Sequence, residues 1–168
     1  MKLIAAVDKN WGIGKDNDLL FHIKEDMRFF KEKTVGNVII VGRKTLESFP
    51  ASKPLPDRKN IVITRDTDYK CDDCIIVHST DELFEVIKNY KENVYVCGGA
   101  EIYSLLLPYC DTAYITKVDA IADAQKFMPN LDEFDGWKLD TDGETQTNGK
   151  YNFKFCTYKN ELQYVECS

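Results

Sequence analysis

The chain lacks most of the features that mark whole classes of function. No stretch approaches the roughly 18 apolar residues of a transmembrane helix, so no membrane span is expected. Its two histidines, His22 and His78, have no nucleophile or metal-ligand partner at a useful spacing, and no Ser/His/Asp or Cys/His hydrolase set can be assembled. A GxGxxG fingerprint and a P-loop are both missing. The six cysteines, at 71, 74, 97, 110, 156 and 167, form no framework of spaced pairs. Cys71 and Cys74 make a lone CxxC in a polar stretch with no second pair and no nearby histidine, which reads as two thiols of a mobile loop. No metal is expected. Positive charge is short as well: 22 Lys and Arg against 28 Asp and Glu leave a net charge of -6, which argues against a general nucleic-acid or membrane-surface binder. The opening MKLIAAVDKN has too short an apolar run for a signal peptide, and with reduced thiols it points to the cytoplasm.

What is present is enough for one domain. The 168 residues, 43% hydrophobic and 12% aromatic, can bury a core without disulfides or metal. Charge is unevenly placed. Between Arg43 and Arg65 six basic residues face only Glu47 and Asp57, a local +4 that leaves -10 for the remainder. A basic region on an acidic protein suggests a small anionic ligand.

The stretch Ile13 to Phe30, IGKDNDLLFHIKEDMRFF, organises the rest. Ile23, Met27 and Phe30 recur at helical spacing and predict one apolar stripe. Asp26 falls inside that stripe, away from Lys24, Glu25, Arg28 and Lys31 on the charged face. A carboxylate pointing inward is paired or kept for chemistry, because burying it alone is costly; the plainer reading is a wet acid in the first turn of a helix.

Taken in order, the chain alternates strands and helices. Lys2–Val7, Asn37–Val41, Asn60–Thr64, Ile75–His78, Asn93–Cys97 and Thr112–Val118 read as strands. Helices are expected at Ile23–Lys33, Arg43–Phe49, after a Ser79/Glu82 capping box, and at Glu101–Leu107 before Pro108. Trp137–Thr141 and Tyr151–Tyr158, with Asn148-Gly149 between them, read as an antiparallel hairpin. The fold class is α/β: a mixed, mainly parallel central sheet with helices on both faces and a C-terminal antiparallel hairpin. The domain is placed at residues 1–159, with 160–168 a tail to which no role is given.

Ligands of open α/β sheets sit at the carboxyl ends of the strands. Two strand-to-helix junctions there carry glycine, Val41-Gly42-Arg43-Lys44-Thr45 and Cys97-Gly98-Gly99-Ala100-Glu101. Arg43 and Lys44 sit at the positive end of a helix dipole, where a cation is disfavoured by about 0.3–1 kcal/mol. Arg65 leaves a neighbouring strand at the same level, and a bound polyanion would resolve the mismatch. Arg58, beside Leu55 and Phe49, could hold a carboxylate in a bidentate fork or simply face solvent.

Several ordered pieces together resemble the dihydrofolate reductases from Met1 to Tyr158: LIAAVDKNWGIGKDNDLLFHIKEDMRFFK, VIIVGRKTLESF, PLPDRKNIVITR, VYVCGGAEIY and YITKVDA. The resemblance implies NADPH-dependent reduction of 7,8-dihydrofolate, a monomer, and binding of antifolates such as trimethoprim and methotrexate. It makes Asp26 the active-site carboxylate and Thr116 its partner. Ile4, Ala6, Met27, Phe30, Phe49, Leu55, Cys97 and Tyr103 then line the substrate pocket, and Arg58 holds the substrate's tail carboxylate. Gly42, Arg43, Lys44, Thr45, Thr64 and Arg65 fall on the adenosine-phosphate side of the cofactor site. Ala6, Cys97, Gly98, Gly99, Ala100, Glu101, Ile102 and Tyr103 fall on its pyrophosphate and nicotinamide side, with a cis Gly–Gly peptide. Ile13, Gly14 and Leu19 belong to a mobile loop that closes over nicotinamide. Three cations suit a 2′-phosphate, which favours NADPH over NADH. The chain departs from the pattern at Leu20, Phe21, Lys24, Cys97 and Gln125, and in a lengthened loop at Pro50–Lys53. Two alternatives stand beside this reading: a pyrimidine reductase of the riboflavin pathway on the same sheet, and a non-catalytic pterin- or nucleotide-binding module. A fusion with thymidylate synthase does not fit the length.

Overall fold

A computed structural model describes residues 1–162. In chain order the elements are β1 (Lys2–Val7), β2 (Gly12–Lys15), β3 (Asp18–Leu19), α1 (Lys24–Thr34), β4 (Val38–Gly42), α2 (Arg43–Glu47), β5 (Lys59–Ile63), β6 (Ile75–Val77), α3 (Thr80–Ile87), β7 (Val94–Val96), α4 (Ala100–Leu106), β8 (Thr112–Val118), β9 (Lys126–Phe127), β10 (Trp137–Asp142), β11 (Gln146–Thr147) and β12 (Asn152–Asn160). The main sheet runs β10-β12-β8-β1-β7-β4-β5-β6, with β11 attached to β12. Pairing is parallel from β8 to β6 and antiparallel where β12 joins β8 and β10. The expected α/β architecture is the one observed.

Alternation along the strands decides which helix goes where. Leu3 and Val7 of β1 and Val38 and Ile40 of β4 share one core with Leu83 of α3 and Tyr103 and Leu106 of α4. The intervening Ile4 and Ile39 meet Phe29 and Phe30 of α1, and Val41 meets Leu46 of α2. Side chains two apart point the same way, so β-branched runs buried on both sides carry helices on both faces.

Several expectations are corrected. Residues 12–19 form a β2–β3 hairpin, and with β9 a separate three-stranded sheet, where a loop was expected. The expected antiparallel pairing of β10 with β12 is present, from Trp137↔Asn160 to Asp142↔Cys156 across a register shift between Leu139 and Thr141, but the Asn148-Gly149 turn itself joins the short β11 to β12. Helix α1 starts at Lys24, so Ile23 is its N-cap and drops out of helical phase. The helix packs through Phe29 and Phe30 instead, with Phe29 stacked on Phe155 at 4.6 Å, and Met27 is 55% exposed. Glu25 is not simply on the charged face: its Oε2 is buried without a hydrogen-bond partner among the described residues. At α3, Ser79 caps the Glu82 amide as expected, but the Glu82 carboxylate returns to the His78 amide and not to Ser79. Cys71 and Cys74 lie in the loop between β5 and β6, as expected, but half-buried against the Val41, Leu46 and Val62 cluster; burial first, then neighbouring Cys71, pushes the Cys74 thiol up to about 12. Strand β12 runs through Asn160, past the expected end of the domain; the rest of the proposed tail from 163 onward lies outside the described residues.

Candidate active site

The site begins where the sheet splits. Strand β1 pairs with β8 along its whole length, Lys2↔Thr112 to Val7↔Lys117, but with β7 only at Lys2↔Tyr95 and Leu3↔Val96. Beyond Leu3 the two strands part. Ile4 and Ala6 form one lip of the opening; Cys97 and Gly98, which follow β7, form the other. On the stretch of β1 that β7 no longer reaches, the Tyr103 hydroxyl of α4 donates to the Ile4 carbonyl at 2.7 Å. A side chain takes over the ladder there.

Asp26 comes to this opening from the first turn of α1. Thr116 on β8, directly across from Ala6 in register, donates its hydroxyl to Asp26 Oδ1 at 2.6 Å. Thr116 is 1% exposed. Burial raises the Asp26 carboxyl above its ordinary range, and the Thr116 hydrogen bond offsets only part of that. Tyr103 is pushed well above its ordinary range, chiefly by its own burial. Ile4, Phe30, Phe49, Leu55 and Cys97 pack in a single apolar cluster beside it. Met27 stands outside that cluster, exposed on α1 next to Asp26.

Arg58 is not a solvent-facing side chain. Its Nε donates to Thr34 Oγ1 at 2.9 Å, Thr34 in turn donates to the Phe30 carbonyl, and the guanidinium lies 5.8 Å from the Phe30 ring centre. Burial lowers its pKa, opposed in part by Cys97 and Asp57. With Nε anchored, the terminal nitrogens are pre-oriented for a carboxylate.

The glycine junctions meet on the other side. Gly42 N donates to Gly98 O at 2.8 Å, and the Gly98–Gly99 peptide is cis. A Cβ on Gly42 would lie 3.1 Å from Ile102, and one on Gly99 would lie 3.2 Å from Thr45 Oγ1. Neither α2 nor α4 has a side-chain cap, so their opening N–H groups stand bare, side by side. These starts, with Arg43, Lys44, Thr64 and Arg65 around them, fit a dinucleotide that carries phosphates.

The β2–β3 hairpin, with Ile13, Gly14 and Leu19, is strapped to the opposite loop. Gln125 N donates to Gly14 O at 2.9 Å; the Gln125 side chain accepts from Asp16 N at 2.9 Å and donates to Asp16 Oδ1 at 3.3 Å. At the hairpin tip Asn17 Nδ2 reaches the Lys44 carbonyl of α2 at 3.3 Å. Beneath, Asp8, 3% exposed, accepts the amides of Asn10, Gly12 and Ala122. Sequence reasoning missed the Asp8 and Asn17 roles. An aspartate followed within four residues by Asn-Trp-Gly is a turn signal that could have flagged Asp8; nothing local flags Asn17. His78, read only as a strand end, holds Nδ1 2.8 Å from the Thr64 carbonyl.

The family model for dihydrofolate reductase matches residues 1–160. The chain belongs to the dihydrofolate reductase family. Among curated relatives of this reductase, the dihydrofolate reductase of Staphylococcus haemolyticus is 41% identical over 138 residues, 82% of this chain and 81% of the relative. That of Bacillus subtilis (strain 168) is 38% identical over 161 residues, 95% and 94%. A solved structure of the Enterococcus faecalis reductase, complexed with NADP(H) and RAB-propyl, superposes on this reductase with a TM-score of 0.83 at 32% identity, covering 94% of each chain. No helix among the described residues is long and apolar enough to cross a membrane.

Proposed function

We propose that Asp26 and Thr116 are the proton-handling pair of this enzyme, an NADPH-dependent reductase of 7,8-dihydrofolate to 5,6,7,8-tetrahydrofolate. The observation that carries the assignment is the short Thr116–Asp26 hydrogen bond, held against an otherwise apolar cluster at the split between β1 and β7. A pterin ring fits between Ile4, Ala6, Phe30 and Cys97, with Met27 at its outer edge. Its N3–H and 2-amino group would donate to Asp26, which supplies the partner an inward carboxylate needs. When bound, NADPH supplies the hydride, from nicotinamide C4 to pterin C6. Asp26, its pKa raised by burial, keeps proton density in the pocket and assists protonation of N5. Tyr103 and Cys97 border the contact between the two ligands. Phe49 and Leu55 wall the benzoyl end, and Arg58, steadied by Thr34, holds the tail carboxylate.

On the cofactor side, Gly98, Gly99, Ala100, Glu101 and Ile102 lie along the pyrophosphate. Gly42, Thr45 and Thr64 lie along the adenosine, and Arg43, Lys44 and Arg65 receive the 2′-phosphate. Ile13, Gly14 and Leu19 close over the nicotinamide. The enzyme works as a cytoplasmic monomer and takes no nucleic acid partner. The anchored Arg58 favours a folate over a pyrimidine substrate, because only a folate brings a tail carboxylate to that end. Mixing the protein, NADPH and dihydrofolate should consume the NADPH absorbance band; Asp26→Asn should lower turnover at neutral pH by about 100-fold or more while NADPH still binds. Turnover close to wild type in that variant would remove Asp26 from the mechanism.

A further inference from the structure

Arg43 and Arg65 are each already held by a carboxylate. Arg43 Nη1 donates to Glu47 Oε1 at 3.1 Å, one turn along α2. Arg65 Nη2 lies 3.8 Å from Glu101 Oε2. The second pair joins separate elements: Arg65 follows β5, Glu101 is the second residue of α4, and β4 lies between β5 and β7 in the sheet. The Arg65–Glu101 pair therefore reaches across the end of β4, where Gly42 and α2 begin. Glu101 is placed oddly for a group meant to attract a polyanion. A carboxylate suits the first turn of a helix, yet this one stands two residues from Gly99, where the pyrophosphate is placed above, and repels phosphate on its own.

We propose that Glu47 and Glu101 are built-in counter-anions that compete with the cofactor's 2′-phosphate for Arg43 and Arg65, so that NADPH capture is an exchange of carboxylate for phosphate. The proposal rests on the reading that these two arginines receive the 2′-phosphate. A phosphate has three oxygens to offer two guanidinium forks and displaces single carboxylate contacts. The neutral 2′-hydroxyl of NADH has nothing to replace them with, so NADH leaves both pairs closed. The two glutamates thus hold the arginines apart and oriented before binding, and return to them as the oxidised cofactor leaves. The Arg43–Glu47 pair is a little over a third exposed, 36%/40%, and the Arg65–Glu101 pair almost fully, 94%/87%, so each opposes phosphate binding only modestly.

The test is calorimetric titration of the full chain with NADPH and, separately, NADH. The proteins are wild type, Glu47→Gln, Glu101→Gln, the double variant, Arg43→Ala and Arg65→Ala. Each Gln variant should bind NADPH about two- to five-fold more tightly, with the advantage shrinking at high salt; Glu47→Gln should leave NADH unchanged, and Glu101→Gln, which also removes a charge beside the pyrophosphate, should tighten NADPH more than NADH. The double variant should combine both gains. NADPH affinity unaltered by either Gln change overturns the exchange, and so does equal tightening of NADPH and NADH, which is plain repulsion of the pyrophosphate. The arginine variants separate the layers. If they weaken NADPH and NADH alike, the 2′-phosphate assignment itself fails; if they weaken NADPH selectively while the Gln variants do nothing, only the exchange fails.

Discussion

Asp26 keeps its proton to a higher pH in the fold than a carboxyl does in water, and burial is the first cause. The sign has a consequence for stability. Between the unfolded and the raised folded pKa, the native state binds the proton that the unfolded chain has released, so stability falls as pH rises through that interval. Above it the cost of a buried carboxylate is fully present; below the unfolded value it vanishes. Asp26→Asn should therefore melt at a higher temperature than wild type at neutral pH, with the difference closing on acidification, as followed by calorimetry. Thr116 works in the opposite sense, since its hydroxyl lowers the Asp26 pKa. Thr116→Val should move the limb of the kcat/KM profile that titrates with Asp26 to higher pH and cost about 1–2 kcal/mol of stability for a lost buried hydrogen bond. An unmoved profile would separate Thr116 from the proton chemistry. Spacing drew attention to Asp26, an acid inside an apolar stripe, but left a wet first-turn acid equally open; the family resemblance decided between the two. The stripe itself was misphased: Ile23 is a cap residue, so Met27 turned out exposed and Phe29, half-buried, packs in its place.

Among the elements, the six expected strands of the parallel region and the helices after them were readable because their side chains are buried on both faces and leave a continuous β-branched run. The β2–β3–β9 sheet was not. Its strands are two to four residues long, glycine-bearing and polar, and backbone bonds to distant loops define them, not any side-chain period. Only the tertiary packing shows how tightly that sheet is fitted. A Cβ on Gly12 would lie 2.3 Å from the Ala124 Cβ, with Asp8 Oδ1 at 3.0 Å, so any side chain there must push the 119–127 loop away. Gly12→Ala should cost about 1–3 kcal/mol, read as a fall in the denaturant midpoint. A midpoint equal to wild type would mean that the loop yields freely. The pocket lining was half legible on the same grounds. The apolar walls follow strand and helix period, whereas the seat of Arg58 on Thr34 joins residues 24 positions apart.

At the scale of the molecule, the hairpin bridges two halves of the site, tied to Gln125 on one side and to Lys44 on the other. Gln125→Ala removes both side-chain bonds to Asp16 and leaves the backbone bond to Gly14. Single-turnover hydride transfer should slow about two- to ten-fold while dihydrofolate affinity stays put, the pattern of a closure step and not of a binding step. A matching loss in both would place Gln125 in the substrate site. The strand order has a further outcome for how the chain is made. β1, made before both of its neighbours, lies between β7 and β8, pairing Leu3 with Val96 and Ala113. A nascent chain that has left the ribosome only as far as α3 holds β4, β5 and β6 together but has no neighbour for β1 on either side. The cleft that receives both ligands is thus among the last features to exist, and a nascent chain stalled in the first half carries an unpaired apolar strand that invites chaperones.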